Sequence, residues 1–207
     1  MTGRPVVEGT DPEAAVRALA DGAVVGLPTD TVYGLAARLD RPAALAAIFA
    51  LKGRPDGLAL PVLVDGVAQA RLVASSWPPA AERLAARLWP GPLTLVVPAR
   101  PEVGRLVGGD GATVGVRCPD HPVVTGLCRR SGPLAVTSAN RHGEPPATTA
   151  GAVQAAFDGP GSSALALVVD GGRCDGVPST VADCTTWPPV ELRAGGVPWA
   201  EVVAATR

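Results

Sequence analysis

The sequence predicts a single mixed α/β domain, a twisted sheet of parallel and antiparallel strands with helices packed against it. Two observations lead there. Helical and extended patterns alternate along the 207 residues, and the extended runs are partly consecutive and partly helix-separated, which does not fit a strict doubly wound parallel sheet. The composition agrees, because a chain that is 47% hydrophobic and only 3% aromatic can bury one sizeable aliphatic core. One domain is therefore expected over residues 1–207, with its core from about 11 to 205.

The elements follow in order. Val24 to Pro28 is an apolar run that reads as a strand. "RPAALAAIFALKG" reads as a helix with Pro42 in its first turn and Gly53 just past its end. Leu60 to Val64 is a second strand, followed by helices in "VAQARLVA" and "PPAAERLAARLW", the latter stopped by Pro90. Extended runs come at 93–97, 113–117 and 134–138, with "HPVVTGLCRR" helical between the last two. A helix near 149–157, strands at 165–169, 179–183 and 190–193, and a short helix from Pro198 complete the chain. Many of these strands end in polar residues, and sites gather where strand ends meet.

Several function classes are disfavoured at this level. A formal charge of −1 leaves no global basic footprint for nucleic acid. The opening "MTGRPVVEGTDPEAA" lacks the charged and apolar regions of a secretory signal, and no apolar span is long enough for a membrane, so a cytoplasmic protein with no membrane partner is expected. Cysteines 118, 128, 174 and 184 form no CxxC pair, and His121 and His142 lie at no metal-ligand spacing from them. Four reduced thiols and no protein-only metal site are expected.

Three residues that are the single copies of their type lie in polar stretches: Tyr33 in "PTDTVYGL", Lys52 in "LKGRP" and Asn140 in "VTSAN". All other basic residues of the 18 are arginine, so a retained lysine points to a need for a compact ammonium. Ile48 is also unique and is plainly core, which limits the weight of any one such coincidence. Alternation past the first strand puts Thr29 and Thr31 on one side and Asp30 on the other. Lys52 and Arg54 at a helix end read most simply as a charge cap, although a lysine beside a guanidinium also suits a polyphosphate. The P-loop pattern GxxxxGK[ST] is absent. Thr137, Ser138 and Asn140 end an apolar strand without a G-x-S-x-G elbow, so hydrogen bonding fits them better than nucleophilic attack. Arg117, ending another strand, is either paired with a carboxylate or kept for an anionic ligand. "PSTVAD" and "LRAGG" add Ser179, Thr180 and Arg193, while "WPGPLT" reads as a rigid turn feeding a strand.

In this order, "PTDTVYGL", "KGRP", "WPGPLTLVV", "VGVRCPDHP", "SAN", "PSTV" and "LRAGG" resemble the Sua5/YciO/YrdC family of threonylcarbamoyl-AMP synthases, from about Val24 to Gly196. The resemblance implies the YrdC-like fold, a twisted mixed sheet with flanking helices and a deep concave groove. It implies catalytic roles for Lys52, Arg54, Ser138 and Asn140. ATP contacts fall to those four with Thr113, Pro146 and Arg193, and threonine contacts to Thr29, Arg117, Thr137 and Ser179. The chain departs from the family pattern at Leu58, Ala59 and Leu60, where many members have Lys-Pro-Leu, and at Leu63, where some have histidine.

The implied reaction joins L-threonine, bicarbonate and ATP, with Mg²⁺, into threonylcarbamoyl-adenylate for modification of adenosine 37 of tRNA. Its implied partner is a separate tRNA threonylcarbamoyltransferase. The alternatives are an RNA-binding module in tRNA or ribosome maturation, with a weak tRNA or RNA contact, and a paralogue that uses another carbamoyl donor.

Overall fold

The structure is a computed structural model and describes residues 6–8, 12–53, 59–141, 143–159, 162–174 and 176–207. Ten strands among the described residues share one sheet: β1 (Val6–Glu8), β2 (Val24–Leu27), β3 (Gly34–Arg38), β4 (Val62–Leu63), β5 (Leu93–Pro98), β6 (Thr113–Arg117), β7 (Leu134–Ser138), β8 (Leu165–Asp170), β9 (Thr180–Asp183) and β10 (Val190–Arg193). Their spatial order is β1-β8-β2-β3-β7-β4-β6-β5-β9-β10. The β1–β8, β2–β8, β4–β6 and β5–β9 pairs are parallel and the others antiparallel, so the sheet is mixed as expected.

Eight helices among the described residues flank it: α1 (Glu13–Ala20), α2 (Pro42–Lys52), α3 (Val67–Val73), α4 (Pro79–Leu88), α5 (Pro101–Val107), α6 (Pro122–Ser131), α7 (Ala150–Ala156) and α8 (Trp199–Ala205). None is long and apolar enough to cross a membrane. Four elements, β1, α1, β3 and α5, go beyond the sequence expectations. For β3 the reason is physical: "GLAAR" has no β-branched or aromatic residue, so its strand preference is weak. It is held extended because it lies between β2 and β7, with four of its five residues buried.

The helices cover the two faces of the sheet unequally, and that asymmetry creates the groove. On one face, alternate strand residues such as Leu93, Leu95, Val97, Val114, Val116 and Ala182 join one large aliphatic core with residues of α2, α3, α4, α5, α7 and α8. On the other face, α1 and α6 pack only on the half that holds Val25, Leu27, Ala36, Leu134, Val136, Leu167 and Val169. Beyond it, the outward residues Thr94 and Val96 of β5, Gly115 and Arg117 of β6, Val181 of β9 and Leu192 of β10 line an open cavity of about 570 Å³. This is the size of a small-molecule site.

Candidate functional site

At one end of the groove, α2 delivers its last residue. The helix stops at Gly53, whose φ of 58° is the left-handed C-cap conformation that glycine adopts without strain. Lys52 is then only 5% exposed, its stem packed and its ammonium turned to the end of β7. Its Nζ donates to Ser138 O at 2.8 Å, Asn140 Oδ1 at 2.9 Å and Ser138 Oγ at 3.3 Å. The helix-end charge cap expected from sequence is therefore incomplete as a description, because Lys52 is buried and ties two distant motifs together. Asn140 is oriented in turn: its Nδ2 donates to Arg141 O at 2.8 Å and Glu144 O at 2.6 Å, which leaves Oδ1 to face the lysine.

The "PTDTVYGL" stretch forms a bend at the groove floor, with Thr29 and Thr31 buried in the lining and Asp30 outside it. Thr29 Oγ1 donates to Val32 O at 2.7 Å and accepts from the Thr31 and Val32 amides at 3.1 and 3.2 Å. Asp30 takes the alternative left open for Arg117, whose Nη2 donates to Asp30 Oδ1 in a buried ion pair. Arg117 Nη1 donates to Thr31 Oγ1 at 2.9 Å and its Nε to Gly91 O at 3.0 Å. Its charge is thus matched within the protein, and one further proton on each Nη lies beyond these bonds. Tyr33 is structural: its hydroxyl donates to Gly172 O at 2.7 Å and accepts from the Gly171 amide at 3.2 Å. Burial pushes its pKa up to about 12, so it stays neutral.

A third cluster joins β9, β10 and β5. Arg193 donates through Nε and Nη2 to Ser179 O at 3.0 and 2.8 Å, and through Nη2 to Ser179 Oγ at 2.9 Å. Partial burial, and then the nearby Arg117, lower the Arg193 pKa, but it remains a cation. The glycines of "LRAGG" permit this clamp. A Cβ at Gly195 would collide with the backbone of Ser179 and Thr180, and one at Gly196 would meet Pro92 at 3.0 Å. Gly195→Ala should therefore cost about 1–3 kcal/mol, the usual range for overpacking, and shift Ser179 away from Arg193. Thermal melting and a crystal structure of the variant check both effects.

Thr113, Thr137 and Pro146 also line the groove. Thr113 sits where Asp110 Oδ1 accepts from its amide at 3.1 Å and its hydroxyl at 3.2 Å. Arg54 and Leu58 lie outside the described residues, as does His142. Ala59 and Leu63, two of the departures from the family pattern, are in the lining. A polar lining residue absent from the expected site is Thr94, which lies in the expected strand at 93–97 and at the end of the turn stretch "WPGPLT". Its last residue begins the outward alternation of β5, and its hydroxyl contacts Ser179 Oγ at 2.8 Å. All four cysteines are buried, and burial pushes Cys118 up to about 11 and Cys184 to about 12, so neither of these two is a nucleophile at neutral pH.

The described lining holds three cations, Lys52, Arg117 and Arg193, with many hydroxyls and no carboxylate or histidine. Such a groove suits anionic ligands, in a chain whose net charge is −1.

Comparison with known proteins agrees with this geometry. The Sua5_yciO_yrdC family model, described as "Telomere recombination", matches residues 17–195. The threonylcarbamoyl-AMP synthase of Pyrococcus abyssi is 42% identical over 88% of this chain and 53% of its own length. That of Bacillus subtilis is 40% identical over 90% of this chain and 54% of its own. The crystal structure of P. abyssi Sua5 complexed with L-threonine superposes with a TM-score of 0.90 and 38% identity, over 97% of this chain and 60% of that one. The chain thus spans about half the length of these two curated relatives.

Proposed function

Because this chain belongs to the Sua5/YciO/YrdC family, we propose that it makes threonylcarbamoyl-adenylate from L-threonine, bicarbonate and ATP. The observation that carries this reading is the composition of the groove, with three cations, abundant hydroxyls and no carboxylate or histidine among its described residues. A site without an acid–base pair works by positioning charged reactants and offsetting charge as it moves. Threonine's ammonium group gives up a proton, and the free amine then takes up the carbon of bicarbonate as a carbamate, releasing water. One carbamate oxygen then attacks the α-phosphorus of ATP in line, and pyrophosphate leaves. Lys52, with the Ser138 and Asn140 oxygens beside it, faces the triphosphate and offsets charge on the departing pyrophosphate.

Thr29, Thr137, Ser179 and the second Nη protons of Arg117 hold threonine in this reading, while Thr113, Pro146 and Arg193 border the nucleotide. Arg54 belongs to the same phosphate cluster. Mg²⁺ enters on ATP as part of the substrate. Among the described residues no cluster of three or more His, Cys, Asp or Glu could hold it separately. The product passes in the cytoplasm to a separate transferase acting on tRNA.

The test is to incubate the protein with ATP, Mg²⁺ and bicarbonate plus each of the twenty amino acids, and to measure pyrophosphate. Threonine alone should give a strong signal. It should vanish in carbonate-free buffer and return with added bicarbonate, whose labelled carbon should appear in the adenylate. Full turnover without carbonate would instead mean that threonine's own carboxylate attacks ATP.

A further inference from the structure

Thr94, which has no part in the proposed reaction so far, pairs its hydroxyl with that of Ser179. Both are buried, at 6% and 5% exposure, and their oxygens lie 2.8 Å apart at the groove wall. A Cβ built at Gly115 would meet the Thr94 methyl at 3.1 Å, so the methyl packs over that glycine while the hydroxyl faces Ser179. Two hydroxyls carry two protons, and their mutual contact uses one. Among the described residues the other proton has no acceptor, so it faces the groove.

Either oxygen can be the donor in that contact, and Arg193 limits what Ser179 accepts. Its Nη2 donates to Ser179 Oγ at 2.9 Å and fills one lone pair of that oxygen. When Thr94 donates into the other lone pair, Ser179 is left with its proton alone and becomes an obligate donor. The chain of bonds polarises that donor, and the guanidinium behind it adds positive charge. Among the described residues Arg193 has no carboxylate partner, whereas Arg117 is matched by Asp30. The net positive charge beside Ser179 therefore belongs to Arg193, and the group best received there is a small anion that only accepts hydrogen bonds.

We propose that Thr94 is a positioning residue that directs the Ser179 hydroxyl, backed by Arg193, onto the carboxylate of the bound amino acid. This rests on the reading that L-threonine occupies the groove. The experiment is calorimetric titration of wild type, Thr94→Val and Thr94→Ser with L-threonine, L-threonine amide and, separately, ATP with Mg²⁺, alongside thermal melting. Thr94→Val should weaken L-threonine about three- to tenfold, the effect of one ordinary hydrogen bond, and leave ATP within twofold. Thr94→Ser should restore threonine affinity, and threonine amide, which lacks the anion, should not distinguish Val from wild type. Unchanged threonine affinity in Thr94→Val, or equal losses for both ligands with a lowered melting temperature, would overturn the proposal. A loss confined to ATP would assign phosphate to this hydroxyl and overturn it as well. Wild type that binds no threonine sinks the functional reading and this inference together, whereas wild type that binds it while Thr94→Val is indifferent sinks this inference alone.

Discussion

Lys52→Met should lower pyrophosphate release by about 10²–10³-fold, the effect of removing one preorganised donor from a developing negative charge. Burial makes the variant informative. Methionine occupies much of the lysine's volume, but Ser138 O and Asn140 Oδ1 lose the donor they share. Unmet buried acceptors cost about 1–3 kcal/mol, more than a cation at an exposed helix end contributes. A lower melting temperature is therefore expected, by roughly 2–12 °C for a protein of this size. Rates measured well below that midpoint separate chemistry from folding. Lys52→Arg should also be poor, because a planar fork cannot direct protons at Ser138 and Asn140 in the same way. A rate within tenfold of wild type in the methionine variant would remove Lys52 from the chemistry.

Arg117→Met should be the most destabilising single substitution in the groove. It leaves Asp30, only 14% exposed, without its cation, while Thr31 Oγ1 and Gly91 O lose donors. Breaking a buried pair from one side costs about 3–5 kcal/mol, or roughly 6–20 °C in melting temperature. The double variant Asp30→Asn with Arg117→Met removes the stranded charge and should recover much of that loss. Threonine affinity should not recover with it if the second Nη protons of Arg117 touch the ligand. Recovery of both would mean that Arg117 only braces the bend at residues 29–31.

The expectations and the structure agree where local pattern decides, and part where long-range contacts do. The strands at 113–117, 134–138 and 190–193 lie where their apolar runs and turn residues put them. Alternation correctly separated Thr29 and Thr31 from Asp30, and Lys52 meets Ser138 and Asn140. Three things were not legible. Gly34–Arg38 is a strand only because its neighbours make it one. The partner of Arg117 is 87 residues away, and no local pattern names which carboxylate it takes. Thr94 lies in a strand that the sequence predicts, but nothing local brings it to Ser179; the parallel pairing of β5 with β9 does.

The strand order has a kinetic consequence. β8 is made of residues 165–170 yet inserts between β1 and β2, and Thr180–Asp183 pairs with β5 across more than eighty positions. Three contacts of the groove span similar loops, from Lys52 to Asn140, from Asp30 to Arg117 and from Thr94 to Ser179. Closing such loops costs entropy before any contact is gained, so chains of this topology refold on the slow side, in milliseconds to seconds. No segment of the chain can acquire the site early. In a stopped-flow refolding experiment, ligand affinity should emerge only with the last-resolved phase, after most of the far-ultraviolet signal has returned.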